Sequence, residues 1–77
     1  MDAVTIQPGD VWWFGWWEYG AGGVKVRREG LMTFTDHGGD GWWVFWENTT
    51  WNGVAFISNR ELWNLHDGGL AGPEGEK

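Results

Sequence analysis

Between residues 10 and 66 the chain runs in short blocks of alternating character, separated by glycine-rich breaks. No block keeps apolar residues at helical spacing over three turns. Period-two alternation over four to eight residues predicts strands. Val24-Lys25-Val26-Arg27 has its plainest form, apolar against cationic. Leu31 to Thr35 follows a Glu29-Gly30 turn signal and is rich in strand formers. Trp42 to Glu47 sets Trp42, Val44 and Trp46 against Trp43, Phe45 and Glu47. Asn48-Thr49-Thr50 turns the chain into Trp51 to Ile57, although Asn52-Gly53 inside that run is itself a hairpin signal. Asp10 to Tyr19 departs from the rule, because Trp12, Phe14 and Trp16 oppose an equally bulky Val11, Trp13 and Trp17. Such a strand is covered on both faces or leaves one aromatic face bare. Gly15 in its middle predicts a bulge or bend.

Pro8-Gly9 marks a turn before the first strand, and Gly20 to Gly23 and Asp36 to Gly41 read as loops. Ser58-Asn59-Arg60-Glu61 predicts a single helical turn capped by Ser58, with Leu62-Trp63-Asn64-Leu65 as a short last strand. The predicted class is all-β: a small barrel of five or six strands, since a two-sheet sandwich needs more chain. A lead over residues 1–8, a barrel over 9–66 and a disordered tail over 67–77 complete the organisation, the tail having little to bury. Gly9-Asp10-Val11-Trp12-Trp13 echoes Gly39-Asp40-Gly41-Trp42-Trp43 at an offset of thirty, and Trp16 echoes Trp46. Two strand entries with the same needs explain that echo; a pseudo-symmetric strand pair is the sharper alternative.

Pro8-Gly9-Asp10-Val11-Trp12, the Gly-Leu-Met-Thr-Phe strand, Trp-Trp-Val-Phe-Trp and a short turn before Leu62-Trp63-Asn64-Leu65 resemble the layout of SH3-like barrels of the Tudor and KOW type. The resemblance spans residues 8–66 and implies a fold in which a one-turn helix precedes the last strand. SH3-like folds host many unrelated functions, so the likeness implies no activity. The acidic, Trp- and Gly-heavy composition also resembles that of small bacteriophage accessory proteins.

Composition changes the picture at one point, the aromatic load. Nine Trp, four Phe and one Tyr stand in 77 residues without a cysteine. Large aromatics, each burying roughly 150–250 Å², can stabilise so small a domain without disulfides. A core of this size holds only some of them, so the surplus must reach the surface. The predicted core is Val11, Trp13, Val26, Met32, Phe34, Val44, Phe56 and Leu65. The predicted outward set is Trp12, Trp16, Trp17, Trp43 and Trp51, with Glu18 and Glu47 as an acidic rim. Contiguous exposed Trp marks a binding face, because Trp dominates interface hot spots.

Other chemistry is sparse. Asp36, Asp40, Gly41 and Glu47 echo a calcium loop, but Gly38 lacks a ligand oxygen and the flanks read as strands, so a polar hairpin is the reading and no metal or cofactor is predicted. His37 and His66 lack a positioned partner for acid–base work, Ser58 lacks a base, and no enzyme is predicted. Lys25, Arg27 and Arg28 form a basic cluster that could stack single-stranded nucleic acid. A net charge of −6 disfavours that, and the reading is that these side chains pair with carboxylates on neighbouring strands or solvate an edge and deter pairing. The apolar run Val11 to Trp17 is too short to span a bilayer, and the acidic start resembles no export signal, so the expectation is a cytoplasmic protein without membrane contact. The expected function is a protein-interaction module offering a Trp-rich face to a protein partner or its own copy. The alternatives are an aromatic cage for a small or cationic ligand and an acidic nucleic-acid mimic.

Overall fold

The computed structural model describes residues 5–48 and 51–75. Thr49 and Thr50 of the predicted turn, residues 1–4 of the lead and the last two residues of the tail lie outside them. The order of elements is β1 (Val11–Tyr19), a 3-10 turn (Ala21–Gly23), β2 (Lys25–Gly38), β3 (Gly41–Glu47), β4 (Asn52–Ser58), α1 (Asn59–Asp67) and β5 (Ala71–Pro73). The strands form one antiparallel sheet in the order β4-β3-β2-β1-β5. The all-β expectation with five strands therefore holds, but the sheet is not closed into a barrel. β4 and β5 are its two edges, and α1 packs against β3, β4 and β5, lying across one face between those edges.

β2 is where the sequence was broken too often. Glu29-Gly30 is no turn; both residues sit inside one fourteen-residue strand. A Cβ on Gly30 would lie 2.7 Å from the Glu47 carbonyl oxygen and 3.0 Å from the Phe14 ring, so glycine is required there for close approach. The polar loop predicted over Asp36 to Gly41 shrinks to the turn at Gly39-Asp40, with Gly39 at φ +57°. Asn52-Gly53 likewise lies in β4 rather than in a turn.

Gly15 introduces no bulge. The β1–β2 register runs unbroken from Val11↔Thr33 to Tyr19↔Lys25, and the glycine makes room for the Arg27 guanidinium. The irregularity falls between Phe34 and Asp36 instead, where Thr35 donates its hydroxyl to the Trp43 carbonyl at 2.9 Å.

Leu62 to Leu65 is helical, not a last strand. Ser58 caps α1 by accepting from the Glu61 amide at 3.1 Å, while Glu61 reaches back to the Ser58 hydroxyl at 3.5 Å. The Gly68-Gly69 pair ends the helix through amides bonded to the Asn64 and His66 carbonyls. Leu62, Leu65 and His66 then share one face at i, i+3 and i+4. The stretch after the helix, expected as tail, supplies β5, whose Ala71 is buried.

The core is Trp12, Phe14, Met32, Phe34, Trp42, Val44, Ile57, Leu62 and Ala71. Trp12 is 1 % exposed, so its predicted outward placement is reversed. Trp13, predicted as core, lies on the opposite face with its indole N–H buried against Gly72 and without a partner. Phe56 was predicted inside and is 41 % exposed. The parity is set by α1: the helix covers the face bearing Trp12, and among the described residues no element covers the other face. The thirty-residue echo takes a definite form here. Trp12 and Trp42 do not pair, because β2 separates their strands, but each meets Phe34 edge-on at 5.5 Å.

Beyond Gly15 and Gly30 neither β5 nor β3 flanks the β1–β2 hairpin, so it projects as a two-stranded arm. The extents of 40 × 28 × 23 Å and a radius of gyration of 13.1 Å reflect it. A compact chain of this length would have a radius of about 11.5 Å.

Candidate functional site: an aromatic pocket beside an open sheet edge

Phe14, Trp16 and Trp46 lie on the α1 side of the sheet, displaced toward the arm. Phe14 stacks on Trp16 with centroids 5.0 Å apart and 15° between planes, and it meets Trp46 edge-on at 4.3 Å. Trp51, at the β3–β4 turn, tilts toward Trp16 at 6.0 Å. Asn48 fixes that turn: its side-chain oxygen accepts from the Trp51 amide, and its own amide donates to the Trp51 carbonyl, both at 3.0 Å. With Gly53, Val54 and Ala55 of β4 these rings enclose an open, carbon-lined cavity of about 430 Å³. Gly53 and Ala55 matter by what they lack, since larger side chains facing this way would fill it.

Glu18 holds the outer wall. Its carboxylate accepts from the Trp16 indole N–H at 2.8 Å and from Arg28 at 3.2 Å. The Trp16 hydrogen bond, then that of Arg28, holds the Glu18 carboxyl below its ordinary value of 4.5. A carboxyl lowered in the folded state contributes fully above its ordinary value and loses that contribution as pH falls through the lowered one. Acid titration of tryptophan fluorescence is therefore expected to show a step below pH 4.5 as Trp16 is released. The step should be absent in Glu18→Gln; an unchanged profile would mean that another carboxyl governs the signal.

The predicted binding residues thus separate. Trp16 and Trp51 come together in the pocket, with Glu18 behind them. Trp12 is core. Trp17, 51 % exposed, lies on the other face of the arm under Lys25 and Arg27, whose charges sit 5.0 and 5.5 Å from its ring. Trp43 is on the uncovered sheet face against Phe56 at 5.3 Å, and Glu47 is exposed on that same face. Phe14 and Trp46 were missed as site residues. Trp46 carried a signal, the offset-thirty echo with Trp16, which puts both in the same cluster.

Of the basic cluster, Arg28 pairs across strands with Glu18 at 3.2 Å, Arg27 lies 3.9 Å from Glu29 of its own strand, and Lys25 sits over the Trp17 ring. Both histidines are held among rings, His37 against Trp42 at 5.0 Å and His66 against Trp12 and Trp63 at 5.5 and 5.6 Å. His37 also lines a second concavity of about 460 Å³ with Ile6, Trp42, Asn59 and Trp63. Asp36 lies on β2 and Glu47 at the far end of β3, so the calcium-like spacing converges on no point. Among the described residues no three His, Asp or Glu side chains gather as a metal site would require. No helix among them is long and apolar enough to cross a membrane.

Compared with family models, with curated proteins and with solved structures, the chain matches none of them.

Proposed function

We propose that this domain is a non-catalytic protein-interaction module that takes a bulky, uncharged side chain of a protein partner into the pocket of Phe14, Trp16, Trp46 and Trp51. The observation that carries the reading is the pocket itself, about 430 Å³ and almost wholly carbon-lined. Apolar pockets with rigid aromatic walls are where interface hot spots collect. Four rings would also suit a cation. The carboxylate beside them, Glu18, already serves Arg28 and Trp16, so it offers little counter-charge to a bound cation. That favours a neutral guest over the aromatic-cage alternative. The nucleic-acid mimic has the net charge behind it and no arrangement of its own. The meander of four strands, a helix and a fifth strand returning to β1 supports the SH3-like layout as the scaffold. A bacteriophage-like composition would make the partner a host protein that the module blocks.

Selection of random peptides on the immobilised protein tests the reading. Enriched sequences should share one bulky apolar anchor. Trp16→Ala/Trp51→Ala, folded by circular dichroism, should bind them at least about 30-fold more weakly, the effect of losing one hot spot. Saturable quenching by tetramethylammonium without peptide enrichment would transfer the pocket to the cage reading. Neither response would overturn both.

A further inference from the structure

The two edges of the sheet differ, and the hydrogen-bond parity shows how. Asn59 donates to the Asp40 carbonyl and Asn48 to the Trp51 carbonyl, at opposite ends of one unbroken β3–β4 register. Alternation between them turns the backbone groups of Gly53, Ala55 and Ile57 toward β3. Those of Asn52, Val54 and Phe56 point out from the edge. On the other side, Gly15 donates to Leu70 and Glu74 to Val11, so the outward positions of β5 are Ala71 and Pro73. β5 is three residues long, and Pro73 has no N–H to offer. The free edges of the arm carry Lys25, Arg27, Glu29 and Glu18. β4, Asn52-Gly53-Val54-Ala55-Phe56-Ile57-Ser58, has no charge, no proline and an unbroken register, so it lacks the features that usually protect an edge.

We propose that two copies of this chain join through β4, pairing antiparallel about a two-fold axis at Val54 to make one ten-stranded sheet. This rests on the edge and not on the pocket reading. With Val54 opposite its own copy, Asn52 faces the second copy's Phe56, and Asn52, Val54 and Phe56 on each strand exchange all their N–H and C=O groups, while Ser58, the fourth outward residue, lies past the paired segment. The rows across the uncovered face become Phe45, Val54, Val54, Phe45 and Glu47, Asn52, Phe56, Trp43. No carboxylate meets its like, although each chain carries −6. The join covers Val54 and Phe56, 70 % and 41 % exposed in the single chain. One open edge and one blocked edge give a closed dimer rather than a filament.

Sedimentation equilibrium should give twice the chain mass, with dissociation on dilution. Amide exchange on the wild type should show Asn52, Val54 and Phe56 protected at high concentration and released at low, while Gly53, Ala55 and Ile57 stay protected throughout. Val54→Lys places two ammonium groups on the axis, and Val54→Pro removes an N–H that β3 does not use; each should give monomers with β-sheet circular dichroism. A monomer at millimolar concentration, or a dimer in which Asn52, Val54 and Phe56 exchange freely, would overturn the proposal. Should both variants misfold, the exchange pattern of the wild type decides alone.

Discussion

Trp12→Ala is expected to unfold the domain or lower its Tm by roughly 15–30 °C, while Trp43→Ala leaves the melt nearly unchanged. Trp12 is 1 % exposed and meets the rings of Phe34, His66 and Trp63 at 5.5, 5.5 and 6.3 Å. It joins β1 to β2 and to α1 at once. Removing a buried Trp costs about 3–5 kcal/mol. A chain of this length has a total stability of about 4–12 kcal/mol, so the loss takes much of it. Trp43 is 47 % exposed and meets the Phe56 ring edge-on at 5.3 Å, a pair contributing about 0.5–1.5 kcal/mol. Thermal melts followed by circular dichroism compare the two. Equal melts would deny that α1 covers the Trp12 face.

Gly41→Val is expected to cost on the order of 3 kcal/mol or more, as large as a core truncation though it adds atoms. Gly41 opposes Ser58 at a position without direct hydrogen bonds, where antiparallel strands approach most closely. A Cβ there would collide with the Ile57 carbonyl oxygen and lie 2.7 Å from both the Ser58 Cα and the Phe56 ring. Two of those three neighbours are backbone, so relief means parting β3 from β4 where the chain enters α1. Gly53→Ala is the control. A Cβ at Gly53 meets nothing within 4 Å and its φ is not positive, so the change should be neutral or slightly stabilising. Urea denaturation of both variants checks the contrast, and a mild effect at Gly41 would mean that the β3–β4 spacing is looser than described.

Much of the scaffold was readable in local chemistry. Val24-Lys25-Val26-Arg27 announces a strand because one of its parities is cationic, and Trp42 to Glu47 because aromatic and β-branched residues fill it. Ser58 and Glu61 announce a helix start because the Ser58 oxygen accepts an amide of the first turn and the Glu61 carboxylate in turn accepts from the Ser58 hydroxyl. The length of that helix was hidden. Nine residues are too few to show a sustained apolar period, and Leu62-Trp63-Asn64-Leu65 fits a strand equally well until Leu62 is known to be buried in the core cluster. β5 was hidden for a similar reason, since Ala71-Gly72-Pro73 has little strand propensity and pairs because β1 offers an edge.

The pocket was half readable. Trp16, Trp51 and Glu18 stood among the predicted binding residues, but so did Trp12, Trp17, Trp43 and Glu47, which lie elsewhere. By itself the sequence determined that the chain is mostly β, that α1 begins after Ser58, and that so many aromatics in so short a chain leave several at the surface. Only the tertiary structure decided which ones. In β1 both parities are bulky, so alternation cannot choose a face; α1, nearly fifty residues away, covers one side and so sends Trp12 inward and Trp13 out. The same packing leaves β4 uncovered beside Gly53 and Ala55, and that bare edge is set by chain topology, which no local pattern records.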